Sequence, residues 1–296
     1  MLTRVLDLLA KERWFDTRAP FEHTIHLTRG ACLWLLLSRR GVCDTYVKFT
    51  DRMSLRAEAA RYAAASRSYP SLVPPFIGYA TDGPLEVLVC RAIDYRAVER
   101  SFLLEAGADH RAIGDLVSYF AAMPSAAAGR EIETPRTAQL FDAIAAYQAA
   151  RAVQPAGRPP RIAGDAAARI AALPTMPQHG DFVLNNLGRL SGDHLVLFDW
   201  EDFGAVALAG LDLFTLELSL AGDAAQLLAN RAHRPAGLQR VVDEACVAMR
   251  LKRTDYEALT PAYALVFRYL KRNYGSEARA RVDRLLRALD DQPALA

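Results

Sequence analysis

His179-Gly180-Asp181-Phe182-Val183-Leu184-Asn185-Asn186 places an Asp and an Asn five positions apart in a segment that reads as a loop. Phosphoryl transfer uses such a pair: the Asp orients an acceptor hydroxyl and takes its proton, while the Asn oxygen helps hold a Mg²⁺ that offsets phosphate charge. The spacing alone decides little. It gains weight from Leu195-Val196-Leu197-Phe198-Asp199, an apolar strand that delivers a second carboxylate one hairpin later, suited to bridging metal and phosphates.

The same chemistry calls for a strand lysine at the α/β-phosphates and a helix glutamate to hold it, both N-terminal to the loop. Tyr46-Val47-Lys48-Phe49 supplies the lysine. On the helix expected at Ser54 to Ser66, Leu55, Ala59 and Tyr62 form the inner stripe, and Glu58 lies beside them, facing the sheet. Lys48, Glu58, Asp181, Asn186 and Asp199 therefore arrive in the order and on the elements that one reaction requires.

Around these residues the chain reads as an α+β protein. Leu2, Val5, Leu6 and Leu9 make the stripe of a first amphipathic helix. Three antiparallel strands follow at Thr24–Leu27, Cys32–Leu37 and Thr45–Phe49, then the helix at Ser54, then strands at Pro75–Tyr79 and Leu85–Cys90. Strands are then nearly absent until Leu195. Helices are expected at Ala112–Met123, Thr137–Arg151, Asp165–Leu173, Ala207–Leu220, Leu238–Met249, Tyr256–Arg272 and Ser276–Leu289.

Composition removes several function classes. The 296 residues carry 36 Lys and Arg against 34 Asp and Glu, a balance too even for a protein that tracks nucleic acid. No apolar run approaches the roughly 18 to 20 residues of a membrane span, and charges at Arg4, Asp7, Lys11, Glu12 and Arg13 interrupt any signal-peptide core. The four cysteines form no CxxC pair and read as free thiols in a reducing, cytoplasmic setting. Nucleophile-elbow, GxxxxGK[ST] and HExxH motifs are absent.

With these residues in place, the sequence resembles the aminoglycoside phosphotransferase and choline kinase family over nearly its whole length. The resemblance implies a bilobal protein-kinase-like fold: a small antiparallel-sheet N-lobe over 1–92 and a larger, mainly helical C-lobe over 93–296. It implies ATP and Mg²⁺ as cofactors and a small-molecule hydroxyl acceptor. Asp181 becomes the catalytic base, Asn186 and Asp199 the metal ligands, and Lys48 with Glu58 the phosphate-positioning pair. Thr28 and Gly30 fall in the nucleotide loop, and the strand ending at Cys90 runs into a hinge at Ile93 whose backbone would bond adenine.

The chain departs from the family pattern in places. Val183 stands where a His is frequent, and the nucleotide loop Thr28-Arg29-Gly30-Ala31 has one glycine. Asp202-Phe203-Gly204 spells the protein-kinase metal motif, but Asp199 is preferred because it ends the apolar strand. His179 is read as a structural histidine, Asp212 as a helix cap, and Glu201 has no assigned role. From Leu251 to Ala296, nine basic residues face six acidic ones, which disfavours a polycationic acceptor. The expected acceptor is a sugar, a glycan intermediate or a polar metabolite; an aminoglycoside-type phosphotransferase and an inactive kinase-like binding protein are the alternatives.

Overall fold

A computed structural model of the protein describes residues 1–27, 31–127, 172–271 and 276–290, together with Ala138, Asp142, Ala143 and Ala145. The chain forms two compact units, residues 1–97 with 187–203, and residues 98–186 with 204–296.

In the first unit, helix α1 (Leu2–Lys11) precedes β1 (Glu22–Leu27), β2 (Leu33–Arg39) and β3 (Val42–Thr50); helix α2 (Arg56–Ser68) precedes β4 (Phe76–Asp82) and β5 (Leu85–Arg91). The five strands pair antiparallel in the order β1-β2-β3-β5-β4. Strand alternation gives the sheet two different faces. Leu35, Leu37, Val47, Phe49, Val87 and Val89 pack with Val5, Leu8 and Leu9 of α1 in one buried cluster. Lys48, between Val47 and Phe49, points to the opposite face, where α2 lies.

The start of α2 is held from β5. The carboxylate of Glu86 accepts from the backbone N–H of Leu55 at 2.6 Å, from Ser54 Oγ at 3.2 Å and from the Tyr79 hydroxyl at 2.7 Å. A negative group at a helix N-terminus satisfies open amides and complements the helix dipole. Leu55, Ala59 and Tyr62 are buried as their spacing predicts, and Ala65 continues the buried stripe of α2.

A second, three-stranded sheet joins β6 (Arg96–Ala97), β7 (Leu187–Arg189) and β8 (Leu195–Leu197). β7 and β8 form the hairpin expected between Asn186 and Asp199, whereas residues 96–97 are too short to carry a readable period and were not expected to pair. Gly188 is required by close approach: a Cβ there would come within 2.7 Å of the Tyr95 ring.

The second unit is helical: α3 (Arg100–Leu104), α4 (Arg111–Ala127), α5 (Leu211–Ala221), α6 (Ala224–Ala232), α7 (Ala236–Ala248), α8 (Arg253–Ala258), α9 (Thr260–Leu270) and α10 (Ser276–Asp290). Helix α5 lies in its core, with every residue but Ser219 buried. The continuous helix expected over Tyr256–Arg272 is broken in two. Leu259 (φ −83°, ψ 2°) leaves the helical region just before the first turn of α9, where Pro261 has no N–H to give. The helix α6 was not anticipated; Asp223 caps it by accepting from the Gln226 N–H at 2.8 Å. The expected helices at 137–151 and 165–173 fall almost wholly outside the described residues.

Glu217 of α5 is 2% exposed and meets two arginines, Arg231 at 2.9 Å and Arg234 at 3.0 Å, as well as the Tyr256 hydroxyl at 2.6 Å. Burial would push this carboxyl up, but the two guanidiniums and the hydroxyl hold it below the ordinary glutamate value. The cluster ties α5 to α6, to the segment that follows it and to α8.

Candidate active site

The HGD segment is built by the second unit. Gly180 has φ +87°, a left-handed turn that glycine adopts without strain. Just before and at this turn, the backbone N–H groups of His179 and Gly180 donate to the two carboxylate oxygens of Asp212 at 2.6 and 2.9 Å. The Tyr119 hydroxyl adds a third bond to Asp212 at 2.6 Å. Asp212 is completely buried. Burial pushes its carboxyl up to about 6, against the three donors that favour the ionised form. The reading of Asp212 as a helix cap is therefore corrected: its carboxylate latches α5 to the HGD loop. The signal was a lone Asp in the apolar run from Val206 to Leu216, where a charge needs a specific partner.

Beyond the latch, Phe182 anchors the loop, stacking on Tyr119 with ring centroids 4.6 Å apart. Its carbonyl accepts from Thr215 Oγ at 3.1 Å. His179 Nδ1 accepts from the Asp181 N–H at 3.2 Å, the structural role expected of it. Asn186 closes the loop by donating its side-chain N–H to the Asp181 carbonyl at 2.8 Å, and its amide oxygen is an acceptor.

The side chain of Asp181 meets a group that the sequence reading did not assign. Lys271, the residue after α9, places Nζ 2.8 Å from Asp181 Oδ2. The two positions are far apart in sequence, and Lys271 had counted only as one of nine basic residues. Two of the others have carboxylate partners: Arg268 pairs with Asp283 at 2.5 Å and Arg253 lies 3.7 Å from Asp243. Lys252, Arg284 and Arg287 are exposed.

The first unit brings Lys48 and Glu58 together. Lys48 Nζ lies 2.8 Å from both Glu58 oxygens. It also lies 3.3 Å from Glu201 Oε2, which gives Glu201 a place that the sequence left open. Burial alone would lower the Lys48 ammonium, but Glu58 beside it and Glu201 beyond hold it above the ordinary lysine value. Arg61 donates to the Glu201 carbonyl at 2.6 Å and so ties α2 to this turn.

Asp199 follows β8 in the left-handed region, φ 62° and ψ 56°, a conformation that Asp tolerates better than most residues. The turn is anchored by Trp200, which is fully buried, donates its indole N–H to the Leu197 carbonyl at 2.6 Å and stacks on Tyr69. Asp199 itself is exposed, and Asp202 lies in the 3₁₀ turn Trp200–Asp202. Among the described residues, no three His, Cys, Asp or Glu side chains gather closely enough to hold a metal by themselves. Mg²⁺ is usually bound by one or two carboxylates plus substrate phosphates, and the exposed Asp199 carries a side chain of the type that mode uses.

Of the hinge residues, Cys90 is buried in β5 and paired on both sides, with Tyr46 and with Phe76. Its thiol, in contact with Tyr62, is pushed up to about 12 by burial. Ile93 lies beyond the strand end in irregular backbone, half-buried. Thr28 and Gly30 lie outside the described residues. No helix among the described residues is long and apolar enough to cross a membrane.

Comparison with known proteins places this geometry. A family model described as the phosphotransferase enzyme family matches residues 38–216. Among solved structures, a protein assigned as an aminoglycoside phosphotransferase from Ralstonia eutropha superposes with a TM-score of 0.63 at 14% identity, over 96% of this chain and 94% of the other. A choline/ethanolamine kinase family protein from Mesorhizobium loti gives 0.51 at 20% identity, over 99% and 96%. An aminoglycoside phosphotransferase in complex with GDP and kanamycin gives 0.54 at 11% identity, over 98% of each chain. No curated protein matches. These likenesses establish the α+β, protein-kinase-like fold: an antiparallel sheet in the N-terminal region and a helical C-terminal part. The chain belongs to the phosphotransferase enzyme family, and its reaction class is phosphoryl transfer to a hydroxyl group.

Proposed function

We propose that the protein is a small-molecule kinase that transfers the γ-phosphate of ATP to a hydroxyl of a sugar, a glycan intermediate or a polar metabolite. The observation that carries this reading is the Lys48–Glu58 ion pair, formed between a strand and a helix as a phosphate-positioning pair requires. Residues 1–92 act as the nucleotide lobe and 93–296 as the acceptor lobe, in a cytoplasmic setting. Lys48, placed by Glu58, holds the α/β-phosphates; Thr28 and Gly30 line the phosphates; Cys90 and Ile93 border the adenine. Asn186 and Asp199 are the residues that would hold Mg²⁺, which offsets phosphate charge when bound.

Asp181 orients the acceptor hydroxyl and takes its proton as the new O–P bond forms. The bond from the γ-phosphorus to the β-γ bridging oxygen breaks, and ADP leaves. The ammonium of Lys271 beside Asp181 favours an acceptor without a cationic group near the reacting hydroxyl. The test is ADP release from Mg·ATP across a panel of glucose, fructose, glycerol, choline and kanamycin. Turnover with a neutral hydroxyl compound supports the reading; exclusive turnover with kanamycin replaces it with an antibiotic phosphotransferase. Release of GDP from GTP alone moves the nucleotide assignment.

A further inference from the structure

Lys271 is an unusual residue to find beside a catalytic-loop carboxylate. Its side chain is 5% exposed and that of Asp181 16%. Lysine is almost never this buried unless paired, because its ammonium loses its hydration. The pairing spans two separately built elements. Asp181 sits on the loop latched by Asp212 of α5, and Lys271 sits at the end of α9, its backbone N–H donating to the Phe267 carbonyl at 2.9 Å.

These elements share one frame. The Tyr263 hydroxyl of α9 donates to the Ala209 carbonyl just before α5 at 2.9 Å, and the Tyr263 ring stacks on Phe214 of α5. A Cβ at Gly210 would meet Tyr263 at close quarters, so the helices approach here only because residue 210 is glycine. The same helix pair thus fixes the backbone on one side of the Asp181 carboxylate and the ammonium on the other. With Oδ2 engaged by Lys271, Oδ1 is the oxygen left for an acceptor hydroxyl.

We infer that Lys271 is a positioning residue for Asp181: it fixes the carboxylate's rotation so that Oδ1 is presented to the acceptor, and it acts through orientation and not through nucleotide binding. The inference rests on the assignment of Asp181 as the acceptor-side base. A misplaced reacting group costs on the order of 10²-fold in rate.

The experiment uses the full chain with Mg·ATP and water as the acceptor, following ADP release for wild type, Lys271→Met, Lys271→Arg, Asp181→Asn and the double variant Asp181→Asn/Lys271→Met. Lys271→Met is expected to lower kcat by on the order of 10²-fold with KM for ATP within twofold of wild type. Lys271→Arg, which keeps a cationic donor, should recover at least tenfold of that loss. The double variant should be no slower than Asp181→Asn, since the lysine has nothing left to position. If Lys271→Met loses its cooperative melting transition, Lys271→Gln, which removes the charge and ends one bond short of the lysine nitrogen, is held to the same criteria. A kcat for the Met or Gln variant within threefold of wild type, while Asp181→Asn is inactive, overturns the role of Lys271. Equal losses in the Met and Arg variants also overturn it. Wild-type turnover in Asp181→Asn instead overturns the assignment of the base.

Discussion

Replacing Asp212 by Asn tests how the latch beneath the HGD loop works. The carboxylate is fully buried and accepts from the Tyr119 hydroxyl at 2.6 Å and from the N–H groups of His179 and Gly180 at 2.6 and 2.9 Å. Burial nonetheless raises its pKa from 3.8 to about 6. Between these values the native state keeps a proton that the unfolded chain has released, so stability falls as pH rises through the window. At about 1.4 kcal/mol per tenfold, the difference corresponds to about 3 kcal/mol. Asn has the same shape and does not titrate. The stability advantage of wild type over Asp212→Asn should therefore be larger at pH 4 than at pH 7, shrinking by about 2 to 3 kcal/mol between them. Urea unfolding of both proteins at pH 4, 5, 6 and 7 measures the gap directly. A gap that stays constant, or widens toward neutral pH, would show that the three donors outweigh burial and that the carboxylate is held ionised throughout. Because the loop hangs from this latch, kcat of the Asn variant should also fall, on the order of 10²-fold.

Asp181→Asn should leave the fold and Mg·ATP binding intact and lower turnover by on the order of 10² to 10⁴, the usual worth of a positioned base; near wild-type turnover sinks the assignment. Alanine at Lys48 and at Glu58 together should cost little more activity than the worse single change, since either loss misplaces the phosphates, whereas losses that add in logarithm would mean independent roles. Asp199→Ala should abolish Mg²⁺-dependent nucleotide binding in a titration while Asp202→Ala is milder, and the reverse ranking would move the metal site to Asp202. Kanamycin should be a poorer acceptor than a neutral sugar, and rising salt should leave the apparent affinity for the neutral compound nearly unchanged; efficient kanamycin turnover weakened by salt would mean that the acceptor face is acidic.

Much of the fold could be read from the chain because it is written locally. The runs of β-formers at Cys32–Leu37 and Thr45–Phe49 already place Lys48 on a strand, and the stripe Leu55, Ala59, Tyr62 already turns Glu58 toward the sheet. An Asp and an Asn five residues apart share a loop whatever else the chain does, so Asp181 and Asn186 were legible too. The features that escaped are those whose partners lie far along the chain. A carboxylate two residues into α5 looks like a cap until the loop amides are seen resting on it. Lys271 looks like one surface cation among nine until α9 carries it to Asp181. Likewise, Gly188 and Arg189 of β7 pair with Ala97 and Arg96, β8 pairs with β7, and residues 187–203 fall in the first unit. Sequence determined which side chains are candidates for the chemistry, because periodicity and spacing act over a few residues. Tertiary structure alone decided which buried charges face each other, because burial makes a charge seek a partner at whatever sequence distance the packing of helices supplies one.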